Sequence, residues 1–262
     1  MEHNHVHHAS GLAGDLLLAL PFVLAVIIYI LLGWVSNRRH KRWPIYRYLS
    51  LFFGVLSASM ALMGPIAKLA HENFIAHMVG HLLLGMLAPL LFVLAAPMTL
   101  VMRTLSVGAA RRLSRILKSF PVSIYCHPVA ASILNIGGLW VLYTTELYSG
   151  MQSNLLLHIV VHVHVFLAGY LYTISILYID PVPHRCSYTF RAVVLILSLA
   201  AHGIISKYIY AHPPVGVPRE QAEMGGMVMY YGGDMVELVL IFLFCRQWYK
   251  AARPRTVLSI TP

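Results

Sequence analysis

Two pairs of histidines stand four residues apart inside apolar stretches of the sequence, His77 with His81 and His158 with His162. Four residues correspond to about 400° of rotation and about 6 Å of rise on an α-helix, so the members of each pair share one helix face. Imidazole binds metal ions in its neutral form, which lowers the cost of burying it. A single membrane histidine most often only bonds a neighbouring helix. Two spaced pairs reverse that expectation and predict a metal site.

Further ligand-type residues fall near the same depth in neighbouring apolar segments. His202 and Asp234 complete the predicted ligand set, as direct ligands or as partners of a ligand. The accessory candidates on the same side of the membrane are Glu237, His212, Met60, Met63 and Met227. Thioether sulfur selects Cu(I), so histidine together with methionine favours copper, and zinc is the alternative metal.

Two other groups of metal-binding residue types are weaker candidates. The N-terminus carries His3, His5, His7 and His8, which predict either a metal-capturing tail or a solvated one in equal measure. The three cysteines, Cys126, Cys186 and Cys245, are predicted at cytoplasmic positions, where thiols stay reduced. They show no C-x-x-C spacing, so we interpret them as small packing residues.

Seven apolar segments would position these residues. Of 262 residues, 59% are hydrophobic and only 11% are charged, well below the quarter that is usual in soluble domains. The segments have about the length that a bilayer requires, and the fourth is the shortest: 16–35, 49–70, 74–102, 129–143, 155–179, 193–211 and 227–245. The sequence therefore predicts an all-α bundle of about seven transmembrane helices. We divide the chain into a His-rich tail (1–13), a membrane domain (14–249) and a C-terminal tail (250–262).

Basic residues alternate between the loops that join these segments. Sixteen of the nineteen Lys and Arg residues follow segments 1, 3, 5 and 7. Positive charge stays cytoplasmic, so the N-terminus is predicted outside the cytoplasm and the C-terminus inside. The net charge of +10 is therefore explained by membrane topology and by attraction to membrane lipids, with no nucleic-acid partner.

Three local patterns predict features of the loops and helix ends. Residues 103–125 include a short amphipathic helix with basic residues on its polar side. The Asp180–Pro183 motif should end the fifth helix sharply. The glycine pairs at 225–226 and 232–233 should let the start of the seventh helix bend or unwind.

Several motifs together resemble one known family. They are His77-Met78-Val79-Gly80-His81 continuing to Pro89, Asp180-Pro181-Val182-Pro183-His184-Arg185, Ala201-His202 through Pro214, and Gly225-Gly226-Met227 through Glu237, ending in Gln247-Trp248-Tyr249. In these positions the chain resembles the multi-spanning CtaG family of assembly proteins for caa3-type cytochrome c oxidases, from about the second helix to residue 249. It departs from the family pattern at Pro89-Leu90, where two prolines are common, and in its N-terminal His cluster.

The resemblance implies a non-enzymatic protein of the bacterial plasma membrane that helps to mature a haem-copper oxidase and handles copper. An oxidase subunit is the implied recipient of the metal, and an extracytoplasmic copper chaperone is a candidate donor. Two other functions fit the residues: an intramembrane zinc hydrolase with Asp234 or Glu237 as general base, and a b-type haem electron carrier.

Overall fold

The computed structural model describes residues 4–182 and 184–253, and for residues 4–18 it describes the backbone alone. Throughout that part of the chain the regular structure is helical, which confirms the all-α prediction. The first three spans are built from the following helices in chain order: α1 (Asn4–Arg39), α2 (Ile45–Leu62), α3 (Gly64–Ala70), α4 (Phe74–His81), α5 (Ala88–Ala95) and α6 (Pro97–Thr104). A π-helical turn, Leu82–Leu87, joins α4 to α5.

The second half of the chain has the same construction. Its helices are α7 (Val107–Leu117), α8 (Phe120–Tyr125), α9 (Pro128–Ser132), α10 (Gly138–Thr144), α11 (Leu147–Ser153), α12 (Leu155–Ile176), α13 (Tyr188–Ala211) and α14 (Arg219–Ala252). A second π-helical turn, Ile133–Gly137, joins α9 to α10.

Six segments of the described chain are long and apolar enough to cross a membrane. Pro128–Thr144 and Leu147–Ser153 meet at 78° and together form a seventh if they are counted as one bent span. The count of about seven is therefore confirmed, and the segment predicted to be shortest is the bent one. The amphipathic helix is α7, on which Arg111, Arg112 and Arg115 are exposed. In the described chain most basic residues lie in the loops after the first, third and fifth spans and at the end of α14, and we call this end of the bundle, which includes α7, the basic end.

The His cluster at residues 3–8 lies outside the residues whose side chains the structure describes. The backbone of α1 continues through the predicted boundary at residues 13–14, and that of α14 continues through residues 249–250. Residues 254–262 of the predicted C-terminal tail lie outside the described range.

Several helix ends differ from those predicted, among them one end of each of the last three spans. The span after Asn154 ends at Ile176, three residues before the predicted end, because the chain turns to extended backbone at Leu177. Helix α13 begins at Tyr188 and α14 at Arg219, five and eight residues earlier than predicted. The first turns of α14 are polar, so hydropathy does not detect them.

The third span, Phe74–Thr104, lies at the centre of the bundle and packs against α2, α12 and α14. It approaches α12 closely, since a Cβ on Gly169 would overlap the carbonyl group of Gly85. Small residues allow membrane helices to approach to backbone contact. The contact therefore fixes α12 against the π-helical turn that follows His81.

A carboxylate ties the end of α12 to the third span. Asp180 accepts hydrogen bonds from the backbone N–H groups of Met98 (3.1 Å) and Thr99 (2.8 Å) and from the Thr99 hydroxyl (2.6 Å). These donors lie in the first turn of α6, which begins after Ala96 in a left-handed conformation (φ 51°). Burial raises the pKa of the Asp180 carboxyl, and its hydrogen bonds oppose that shift. The Asp-Pro motif thus caps α6, in addition to following the end of α12.

Replacing Gly169 with Ala should destabilise the bundle, because the new methyl group would overlap the Gly85 carbonyl and neither backbone can move freely. We expect a loss of about 1–3 kcal/mol despite the better helix propensity of Ala. Gly137→Ala is the matched control, since its Cβ would meet only Ile133 at an ordinary 3.8 Å. Thermal unfolding in detergent measures both, and equal melting temperatures would contradict the contact.

Asp180→Ala should lower the melting temperature by removing all three hydrogen bonds from the start of α6, at a cost of about 1–2 kcal/mol. Asp180→Asn retains one oxygen acceptor and should cost less. The same thermal measurement tests the pair. A larger loss for Asn than for Ala would show that the carboxylate does not act as a cap.

Candidate metal centre

Three of the predicted ligands line one small cavity between the third span, α10 and α12. The cavity measures about 20 Å³, enough for an ion or a water molecule, and its walls include His77, His81, His162 and Tyr143. His77 and His81 are both buried, with 7% of each side chain exposed. The structure thus brings the first H-x-x-x-H pair and one member of the second together.

A second cavity, of about 30 Å³, lies on the other side of His81. His81, His202 and Glu237 line it, together with Met86 and Asn135 from the two π-helical turns. His81 therefore borders both cavities, whereas His202 lines only the second. The predicted single ligand layer is divided into two adjoining compartments, which we call the first and second His cavities.

The hydrogen bonds of His162 and His202 fix which ring nitrogen is free. The Nδ1 of His162 lies 2.8 Å from the carbonyl oxygen of His158, which can only accept, so this nitrogen carries the proton. In His202 the Nδ1 lies 3.1 Å from Glu237 Oε1, and a carboxylate likewise accepts. In a neutral imidazole the Nε2 of each residue then keeps its lone pair, as metal coordination requires.

Several buried nitrogens in this region have no hydrogen-bond partner among the described residues. They are His81 Nε2, His158 Nδ1 and His202 Nε2. A buried polar atom without a partner is costly, and a native structure usually retains one for a reason. His77 differs, because its Nε2 lies 3.0 Å from the Tyr143 hydroxyl. Two of the three orphan atoms belong to residues that line the His cavities.

Glycines provide the space for two of the imidazoles. A Cβ on Gly233 would overlap the His202 ring, and one on Gly85 would lie 3.2 Å from the His81 ring. Gly225 and Gly226 admit Phe74 and the backbone of α13 in the same way. The predicted unwinding at these glycine pairs does not occur, since α14 is one continuous helix from Arg219 to Ala252. Their role is to allow close packing.

His158 lies above the first cavity, where its ring stacks on that of His162 at 4.1 Å between centroids. The exposed His71 also stacks on His158, with 5.2 Å between the ring centroids. These three rings connect the outer surface of the bundle to the first cavity. His71 was not predicted, because it lies in a short turn outside the apolar segments.

Glu237 is the carboxylate that lines the site, whereas Asp234 lies outside it. Asp234 is exposed on the outer surface of α14, whereas Glu237 faces His202. The two positions are about 60° apart around the helix, and α13 packs against the Glu237 side. The sequence ranked these two residues in the opposite order.

The other accessory candidates lie away from both cavities. His212 is exposed and stacks on Tyr208, and Met60 is exposed on α2. Met63 lies beside a groove between the first two spans, and Met227 lies beside Lys207. Met86, which lines the second cavity, was missed, although it stands five residues after His81.

The site is not assembled as a closed coordination sphere. Among the side chains that the structure describes, those of residues 19–182 and 184–253, no three His, Cys, Asp or Glu lie close enough together to hold a metal ion. The arrangement offers instead single free Nε2 atoms that face two small cavities.

The alignments with known relatives include most of this chain but less than half of each relative. It is 25% identical over 258 residues to an uncharacterized protein of Mycobacterium leprae (strain TN), a match to 90% of this chain and 39% of the relative. Uncharacterized proteins of Mycobacterium bovis and Mycobacterium tuberculosis are 28% identical over 195 residues, 72% of this chain and 30% of theirs. The chain thus spans two fifths or less of the length of these relatives. No solved structure matches it.

One family profile matches residues 27–251, from the middle of the first span to the end of the last helix. Every His that lines either cavity falls within that range, as do Glu237 and the Asp180 cap. By this match the chain belongs to the cytochrome c oxidase caa3 assembly factor family, Caa3_CtaG.

Proposed function

We propose that this protein binds copper at the two His cavities and delivers it to a subunit of a haem-copper cytochrome c oxidase. The observation that carries the proposal is the pair of buried Nε2 atoms on His81 and His202, which have no partner among the described residues and line a common cavity. Family membership supports the role in oxidase assembly. The bacterial plasma membrane is the proposed location.

The ligand chemistry supports copper as the transferred metal. Imidazole nitrogen suits Cu, and a thioether such as that of Met86 adds preference for Cu(I). A delivery protein must release its metal, so a few ligands around two cavities are better suited to it than a closed cage. His81 borders both cavities and can serve as the common ligand while the ion moves between them.

The stacked rings of His71, His158 and His162 support a route for copper from the outer end of the bundle. An ion arriving there meets imidazoles at each step before it reaches His81. An extracytoplasmic copper chaperone is a suitable donor at this end.

The two other functions make different demands on the same residues. A haem needs a pocket on the scale of drug-sized ligands, about 300 Å³ or more, and the His cavities are far smaller. A zinc hydrolase needs three protein ligands and a free general base, whereas Glu237 is engaged by His202 and Asp234 is exposed away from both cavities. The described geometry therefore favours neither a haem carrier nor a zinc hydrolase.

The double variant His77→Ala/His81→Ala should lose its copper while remaining in the membrane. His164→Ala is the matched control, because His164 is exposed on the same helix as His162 and contacts the Leu134 carbonyl. Metal content is measured by mass spectrometry on detergent-purified protein that lacks residues 1–10 and any tag. We expect near-stoichiometric copper in the parent and the control.

Unchanged copper in the double variant would refute the site. Zinc in place of copper would support the hydrolase, and no metal in the parent would return these histidines to helix packing. Elution as a single species in size-exclusion chromatography shows that the variant is folded.

Glu237→Gln should weaken copper binding about 10- to 100-fold, because the carboxylate orients His202 and raises its basicity. Asp234→Asn removes a charge of the same sign from the same helix and should leave the affinity unchanged. Competition with a chromogenic Cu(I) chelator gives both dissociation constants. If Asp234→Asn had the larger effect, the assignment of Glu237 to His202 would be wrong.

A further inference from the structure

A groove of about 470 Å³ opens at the basic end and is separate from the His cavities. It lies between the first turn of α2, the end of α5 and the last turns of α14. Partly buried apolar side chains from three elements, Leu94, Ile179 and Leu243, form its inner part.

Polar side chains at the mouth of the groove supply cations and hydrogen-bond donors. Arg246 and Lys250 stand four residues apart on α14, so both lie on the face that lines the groove. Gln247 and Tyr46 line the mouth beside them and can each donate a hydrogen bond. The mouth therefore joins two positive charges to an apolar interior.

The described residues contain no carboxylate within ion-pair distance of either cation. Asp180 is the acidic residue of this end, and its oxygens are already bonded to Met98 and Thr99. The positive charge at the mouth is thus not neutralised by the described part of the protein, and an anion from outside can neutralise it.

The position of the groove limits which anion fits. Arg246 and Lys250 lie within the last two turns of α14, which is long and apolar enough to cross a bilayer, so we place them at the level of the lipid headgroups. Basic pockets between transmembrane helices at this level suit lipid phosphates. The apolar interior would be exposed to water beneath a free phosphate ion, but acyl chains would cover it.

We propose that this groove binds an anionic phospholipid, with the phosphate diester between Arg246 and Lys250 and the acyl chains along Leu94, Ile179 and Leu243. Arginine can hold two phosphate oxygens at once, and lysine adds a point charge. The bound lipid would link α14 to α2 and α5 at the basic end. This proposal does not depend on copper binding.

The test uses the full chain in neutral detergent with dioleoyl phosphatidylglycerol as the probe and dioleoyl phosphatidylcholine as the neutral reference. Native mass spectrometry counts the bound lipids, and titration gives the dissociation constant. Arg246→Gln/Lys250→Gln removes both cations from the groove. Arg111→Gln/Arg112→Gln is the matched control, since it removes the same charge from exposed positions on α7.

We expect saturable binding of phosphatidylglycerol that becomes about thirtyfold weaker in the groove variant and changes less than about twofold in the control. Equal losses in both variants would show diffuse attraction and overturn the proposal. Equal binding of phosphatidylcholine would overturn it too. Full displacement of the lipid by inorganic phosphate at matched ionic strength would identify a free-anion site instead.

Discussion

The backbone contact between Gly169 of α12 and the Gly85 carbonyl determines how the histidines of two helices meet. Both helices run in the same direction, so heights can be counted from this contact at about 1.5 Å per residue. His162 lies about 10 Å along from Gly169, between His81 at about 6 Å and His77 at about 12 Å along from Gly85. Any larger residue at the contact would separate the two helices and widen the first His cavity.

Membrane burial imposes a second requirement, that each imidazole be neutral and each polar atom be partnered. The site meets it in part, through the bonds to the His158 carbonyl, Glu237 and the Tyr143 hydroxyl. In His162 and His202 the hydrogen bond uses Nδ1 and leaves Nε2 free. The hydrogen bonds that lower the free-energy cost of burying these imidazoles therefore also leave them ready to act as ligands.

Much of the fold followed from hydropathy and helical periodicity, because apolar length and the spacing of histidines depend only on local sequence. The number of spans, the helix α7 and the closeness of His77, His81 and His162 could be predicted in this way. The prediction that the N-terminus lies outside the cytoplasm rests on the charge pattern alone.

What periodicity could not supply was the packing direction of each helix. Asp234 and Glu237 are close enough on the helical wheel to appear equivalent, and only the position of α13 separates them. The glycine pairs were ambiguous for the same reason, since a glycine signals either flexibility or close approach until its neighbour is known. An H-x-x-x-G spacing, as in His81 and Gly85, carries information only once the ring is seen above the glycine.

The division of the site into two cavities gives His81 a distinct physical role. In the proposed copper function, a residue that borders both compartments would be placed to pass the ion from one to the other. Its free Nε2 is buried and has no competing hydrogen bond among the described residues, so coordination would satisfy an atom that is otherwise left unpaired.

The π-helical turn that begins at Leu82 directly follows His81. Such turns place an extra residue in a helix and are frequent at functional sites. Here the turn brings Met86 and Gly85 to the second cavity one turn beyond His81. Because the Gly85–Gly169 contact lies within that same turn, helix packing and the position of His81 depend on a single local distortion of the third span.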